Sequence, residues 1–191
     1  MTANPTPSKE QLADRVTGHI DRKDLRQALA ACQQLNRHHP DYAYGWYLAS
    51  FLMNKVRHHA DALKAIDRAL QLSPLDKYQL HKTRCHFEAN DIAGAIAAAA
   101  AIKDKSFVDP ALHNQLGSML HLLGDHAGAL RHFSRAIDLD GRNAEFHFNR
   151  AALLRYLGDA DGAEAGFDAA IALKPGEYEA YNGRAHLRTQ T

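Results

Sequence analysis

Apolar residues recur along this chain at helical spacing, in alternating blocks of two kinds. From Ala129, the residues Leu130, Phe133, Ala136 and Ile137 follow at i+1, i+4, i+7 and i+8, which draws one apolar stripe along a helix. Asp125 stands ahead of that stripe as a predicted N-cap, and Asp24, Asp91 and Asp159 stand ahead of three similar ones. The other kind of block carries Leu112, Leu116, Met119, Leu120 and Leu123 at helical spacing. It opens on Asp109-Pro110, a cap followed by proline at the first helical position, and Gly124 ends it. No segment reads as a strand, so the pattern predicts an all-α chain of paired helices.

The pairs repeat. Gly-Ala occurs at 94–95, 128–129 and 162–163, a spacing of 34, and Asp91, Asp125 and Asp159 keep it. The alanines Ala28, Ala62, Ala95, Ala129 and Ala163 mark five units; Leu35, Ala69, Ile102, Ala136 and Ala170 form a second ladder, and Cys32, Ile66, Ala99, Phe133 and Phe167 lie between them. Pro40, Pro74 and Pro175 punctuate three unit ends, with Phe107 and Gly141 in the other two places. The predicted units are 9–42, 43–75, 76–109, 110–143 and 144–177, preceded by a flexible segment 1–8 and followed by a capping or truncated helix over 178–191. Small residues in the first helices (Gly117, Ala151 and Ala185) and the alanine ladder in the second let helices approach closely. One pair cannot bury its own apolar face; stacked pairs share a continuous core.

This pattern resembles the tetratricopeptide repeat over nearly the whole chain. Trp46, Ser50, Met53, Ala62, Ile66, Ala69 and Pro74 follow that family's large-small-large, Ala-aromatic-Ala, Pro signature, as do Leu116, Gly117, Leu120, Gly124, Ala129, Phe133 and Ala136. The third unit departs most, with an alanine-rich second helix from Ala95 to Ala101, and the first departs at Cys32 and Asn36. The resemblance implies a right-handed superhelical solenoid of five helix-turn-helix repeats plus a C-terminal helix. It also implies a non-catalytic interaction scaffold that takes a peptide in a concave groove lined by the first helices. Matching places give Tyr44, Tyr47, Phe51, Asn54 and Lys55 in the second unit, then Lys77, Leu80, His81, Arg84 and Phe87 in the third. They give Asn114, Ser118 and His121 in the fourth, Phe148, Asn149, Ala152 and Arg155 in the fifth, and Asn182 and His186 in the last helix. Aromatic rings beside Lys and Arg suit an acidic peptide, and Asn amides suit a peptide backbone. The family's chaperone-tail clamp is not matched, since Ala13 and Thr17 occupy its first pair of places. Tyr181 to Thr191 resembles the junction at which a tetratricopeptide module precedes a bacterial sulfotransferase domain, so an accessory module of a larger enzyme is the alternative reading.

Composition narrows the functions further. The 191 residues carry 23 Lys plus Arg against 22 Asp plus Glu, a net charge of +1, without the basic excess of a dedicated nucleic-acid binder. The longest near-apolar run, Ile92 to Ile102, falls short of the ~18 residues of a membrane span. The N-terminus lacks a signal-peptide core, and two cysteines form no disulfide framework, so a cytoplasmic protein is expected. No phosphate-binding glycine loop is present and no cofactor is expected. His81 and Cys85 are placed to face one way on a helix, but a zinc site needs two more ligands, so no metal is expected among the 13 histidines. Cys32 reads as a small buried hydrophobe. The outer face of the fourth unit's second helix, Arg131, His132, Ser134, Arg135 and Asp138, reads as solvated. The third unit's reads as mostly small and uncharged (Ala97, Ala98, Ala100 and Ala101, with Asp104), and the fifth unit's likewise (Ala165, Gly166, Ala169 and Ala172, with Asp168). Weak self-association is expected through the C-terminal helix rather than through these alanine faces.

Overall fold

The computed structural model describes residues 7–102, 108–176 and 178–188, and among these it contains helices and no strand. The helices are α1 (Lys9–Asp21), α2 (Leu25–His38), α3 (Ala43–Lys55), α4 (His59–Leu72), α5 (Asp76–Glu88), α6 (Ile92–Ala100), α7 (Pro110–Leu122), α8 (His126–Leu139), α9 (Ala144–Tyr156), α10 (Ala160–Leu173) and α11 (Tyr178–Arg188). They form two compact units, one up to Ile102 with α1–α6 and one from Lys103 with α7–α11. Within each unit every odd-numbered helix pairs with the even-numbered helix that follows it, and α11 packs on α10. Residues 1–6 of the predicted flexible segment, Phe107 and the end of the chain from Thr189 lie outside the described residues. Ser8, within that segment, is the N-cap of α1 and forms a capping box with Gln11.

The local causes repeat with the sequence. Asp24, Asp91, Asp125 and Asp159 each cap a second helix through the side chain. In the last three, the acceptor oxygen takes the N–H of Gly94, Gly128 or Gly162 at 2.9, 2.8 and 3.0 Å. A Cβ on any of these glycines would run into the other carboxylate oxygen, which explains why Asp and Gly recur together three residues apart. The turn between paired helices carries a left-handed residue every time: Lys23, Arg57, Asn90, Gly124 and Gly158. Pro110 occupies the start of α7 behind the Asp109 cap.

The alanine ladder is the packing ladder. Ala28, Ala62, Ala95, Ala129 and Ala163 are fully buried, and so are Ala69, Ala136 and Ala170. Phe133 presses on Gly117, where an added Cβ would lie 2.8 Å from the ring, and Phe167 presses on Gly183 in the same way. Three predicted outer faces are corrected here. His132, read as solvated, is buried between α8 and α7; Ala98 and Gly166, read as exposed, are buried too. Each sits on the edge of its helix that turns toward the preceding first helix, so the solvated strip is narrower than the sequence suggests. Cys32 is buried as expected, its thiol pushed up to about 12 by desolvation.

Candidate functional site

The predicted groove residues fall into two sets, one in each unit. In the first, α3 and α5 lie side by side and bring their aromatic residues together. Tyr44 stacks on Tyr47 with centroids 5.8 Å apart, and Tyr47 stacks on Tyr78 at 5.2 Å. Tyr42 meets Tyr44 edge-on at 6.0 Å. Cations close over these rings: Lys77 Nζ is 5.8 Å from the Tyr44 centroid and 5.3 Å from that of Tyr78, and Lys9 Nζ is 5.2 Å from Tyr42. Farther along α3, Lys55 Nζ lies 5.5 Å from the Phe51 ring. Tyr44, Tyr47 and Phe51 are half-exposed, and Lys55 and Lys77 are exposed. Burial raises the Tyr47 phenol's pKa, and the nearby Arg84 charge opposes that. The result is a ridge of tyrosine faces edged by Lys77, Arg84 and Lys55.

Under this ridge lies a buried cluster. His81 Nε2 is 3.1 Å from Ser50 Oγ and 3.5 Å from Cys85 Sγ, with Ser50 Oγ 3.6 Å from Cys85 Sγ. The Tyr47 and Phe51 rings cover the imidazole at 5.1 and 6.3 Å. Desolvation and then the Arg84 charge push His81 down to about 4, and desolvation pushes Cys85 up to about 11. His81 is therefore a neutral hydrogen-bonding plug between α3 and α5, with Tyr47 standing on it. Cys85 is held as a thiol, not as a nucleophilic thiolate. Asn54 is also buried: its amide donates to Glu88 Oε2 at 2.8 Å and its carbonyl accepts from the His59 ring at 2.7 Å. It braces the helix ends from within the unit.

In the second unit, Asn149 Nδ2 donates to Asn114 Oδ1 at 2.9 Å, and Asn114 Nδ2 donates to Glu145 Oε1 at 3.0 Å. Asn114 is buried in this relay and Asn149 is its half-exposed end. The relay borders an open cleft of about 710 Å³ lined in part by Asn143, Glu145, Phe148, Asn149, Lys174 and Glu179. Its charges are mixed. His121 is occupied by His126, with Nδ1 atoms 3.1 Å apart, and by the Tyr156 ring at 5.3 Å. Desolvation and the charge of His126 lower the His121 pKa. Arg155 is half-exposed on α9, and Asn182 is exposed on α11.

Sequence reasoning missed Tyr78 and Glu145. Tyr78 shares its repeat place with Gly45 and Leu112, which marks it as a packing residue; its ring does both jobs, buried in the core and stacked under Tyr47. Glu145 follows the Asn143 cap of α9 and reads as a first-turn acid that suits the helix dipole. No periodicity signals that it turns back to Asn114. Among the described residues, no group of three or more His, Cys, Asp or Glu comes together as a metal site. No described helix is long and apolar enough to cross a membrane.

No family model matches the sequence, and no curated protein does. Solved structures do match the fold. TTC0263, a thermophilic tetratricopeptide-repeat protein of Thermus thermophilus, is 15% identical with a TM-score of 0.72, over 95% of this chain and 100% of that one. YrrB, a tetratricopeptide-repeat protein with an unusual peptide-binding site, is 16% identical with a TM-score of 0.67, over 93% and 92%. MamA of Desulfovibrio magneticus RS-1, residues 41 to the end, is 16% identical with a TM-score of 0.69, over 91% and 99%. The chain thus has the tetratricopeptide-repeat fold, an all-α helical-repeat solenoid.

Proposed function

We propose that this chain is a non-catalytic protein-interaction scaffold, and that the tyrosine ridge on α3 and α5 binds an acidic, extended peptide segment of a partner protein. The carrying observation is the coincidence of Tyr44, Tyr47 and Phe51 faces with the Lys77, Lys55 and Arg84 cations on one pair of first helices. Aromatic faces supply contact area at small entropic cost, and the cations supply complementarity to carboxylates. The YrrB likeness supports the reading at the level of the fold: that architecture binds peptide in YrrB. In the second unit, Asn149 offers an amide carbonyl with no partner among the described residues, beside a cleft of mixed charge. That suits a peptide backbone better than an acidic side chain.

Selection of a random displayed peptide library on the full chain tests this. Enriched sequences are expected to be net acidic, and their affinity to fall as salt rises. Tyr47→Ala and Arg84→Ala should each weaken the selected peptides at least fivefold while circular dichroism stays unchanged. Enrichment of neutral or basic peptides, or affinities indifferent to both substitutions, would overturn the assignment.

A further inference from the structure

The repeat itself exposes one anomalous residue. Five second helices carry a buried place three residues after the ladder alanine, and four of them fill it with a small residue: Ala31, Ala65, Ala98 and Gly166. The fold needs little volume there, because the preceding first helix passes close by. In α8 the same place holds His132, and it is 6% exposed. It is accommodated by a second histidine: His113 of α7, 2% exposed, faces it with the two Nδ1 atoms 2.9 Å apart and the rings 5.2 Å between centroids. Helix packing does not ask for the His132 imidazole at that crossing, whereas the place of His113 holds large residues in other units, Trp46, Gln79 and His147.

Above the pair is a pocket of about 210 Å³ lined by His113, His132, Arg131 and Arg135. All four side chains end in nitrogen, and no described residue of the lining is acidic. Arg131 and Arg135 stand one turn apart on α8, and neither has a hydrogen bond or ion pair among the described residues. Like charges at that spacing repel along a helix. Their repeat equivalents in α6 and α10 are Ala97 with Ala101 and Ala165 with Ala169. In α4 the equivalents are also cations, Lys64 and Arg68, but each has its own carboxylate: Asp61 at 3.0 Å and Asp41 at 3.7 Å. A cation pair without a carboxylate among the described residues is therefore particular to α8, where it meets the two histidines.

We infer that His113, His132, Arg131 and Arg135 form a phosphoryl-binding site on α7 and α8. Two guanidinium forks at the rim match the several oxygens of a phosphate dianion, and its charge relieves their mutual repulsion. The buried imidazoles give the pocket a fixed polar floor, which separates it from a chance pair of surface arginines. The pocket has room for a phosphoryl group and not for a whole nucleotide. Its occupant is either free phosphate or the phosphate of a phosphorylated side chain. The site is independent of the tyrosine ridge and stands or falls without it.

The test follows the imidazole ring resonances of the full chain by NMR during titration with inorganic phosphate, against sodium chloride of equal ionic strength. Saturable shifts of the His113 and His132 rings with phosphate alone are expected. His132→Ala restores the residue type of the other repeats and so should fold; it should weaken phosphate binding at least tenfold. Arg131→Ala combined with Arg135→Ala should do the same with helix content unchanged. A Gly-phosphoserine-Gly peptide that binds tighter than inorganic phosphate would place the ligand on a protein chain, and one that binds no tighter would assign free phosphate. Shifts that chloride reproduces, or phosphate binding that survives both variants, would overturn the site.

Discussion

At the residue scale, the strongest constraints are spatial. Ala129 is fully buried, and its carbonyl lies 3.2 Å from where a Cβ on Gly117 would stand. Ala129→Leu therefore has no room, and overpacking of this kind costs about 1–3 kcal/mol; urea denaturation should show that loss, and a neutral result would mean the ladder tolerates volume. His81 makes an electrostatic prediction. Its folded pKa, pushed down to about 4, lies below the ordinary 6.5, so the unfolded chain takes up the proton first. The neutral ring's contribution is complete above about pH 6.5 and is lost as the pH falls from there toward 4. The loss reaches about 3 kcal/mol at most, from roughly 1.4 kcal/mol for each tenfold step. Comparison of wild type with His81→Gln across that range checks it: the wild type should lose more stability on acidification than the variant.

At the element scale, the turn inside each helix pair is the controlling piece. Each of the five places a left-handed residue between its helices, yet only two supply glycine; Arg57 adopts φ 65° there at a steric cost that Gly124, at φ 87°, avoids. A Cβ on Gly124 would touch nothing within 4 Å, so Gly124→Ala isolates the backbone term and should destabilise by about 1 kcal/mol. Arg57→Gly should recover stability instead, and thermal melts of the two variants should move in opposite directions. The caps offer a parallel test. Asp125→Ala removes the acceptor for the Gly128 N–H and should cost about 1 kcal/mol in the same melts.

At the scale of the whole molecule, stability is assembled from neighbouring contacts. α11 contributes by covering Phe167 with Gly183 and by the Arg184–Asp168 ion pair, whose atoms are 2.6 Å apart. A chain ending at residue 176 leaves Phe167 uncovered on that side. Exposure of a large apolar side chain costs roughly 1.5–3 kcal/mol. The truncated chain should show a lower unfolding midpoint by circular dichroism, and the single tryptophan, Trp46, in the first unit, should report a smaller shift by fluorescence. Equal shifts in both signals would contradict nearest-neighbour assembly.

The helices, their caps and the alanine ladder were legible in the sequence because each rests on short-range rules. An aspartate three residues before a glycine caps a helix wherever the chain goes, and a period of 34 repeats one helix pair with its packing. The aromatic ridge was half legible: Tyr44, Tyr47, Lys77 and Arg84 follow from their repeat places, while Tyr78 was hidden because a packing position and a stacking position look alike in sequence. Only tertiary structure showed that Asn54 and His81 are consumed inside the first unit and that Glu145 reaches back to Asn114. It alone brought His113 against His132, 19 residues apart in sequence, at a crossing where the other repeats place alanine or glycine. Periodicity fixes which side of a helix a residue occupies; which side chain meets it from the neighbouring helix depends on the distance and tilt of packing, and those are set by the side chains of both helices together.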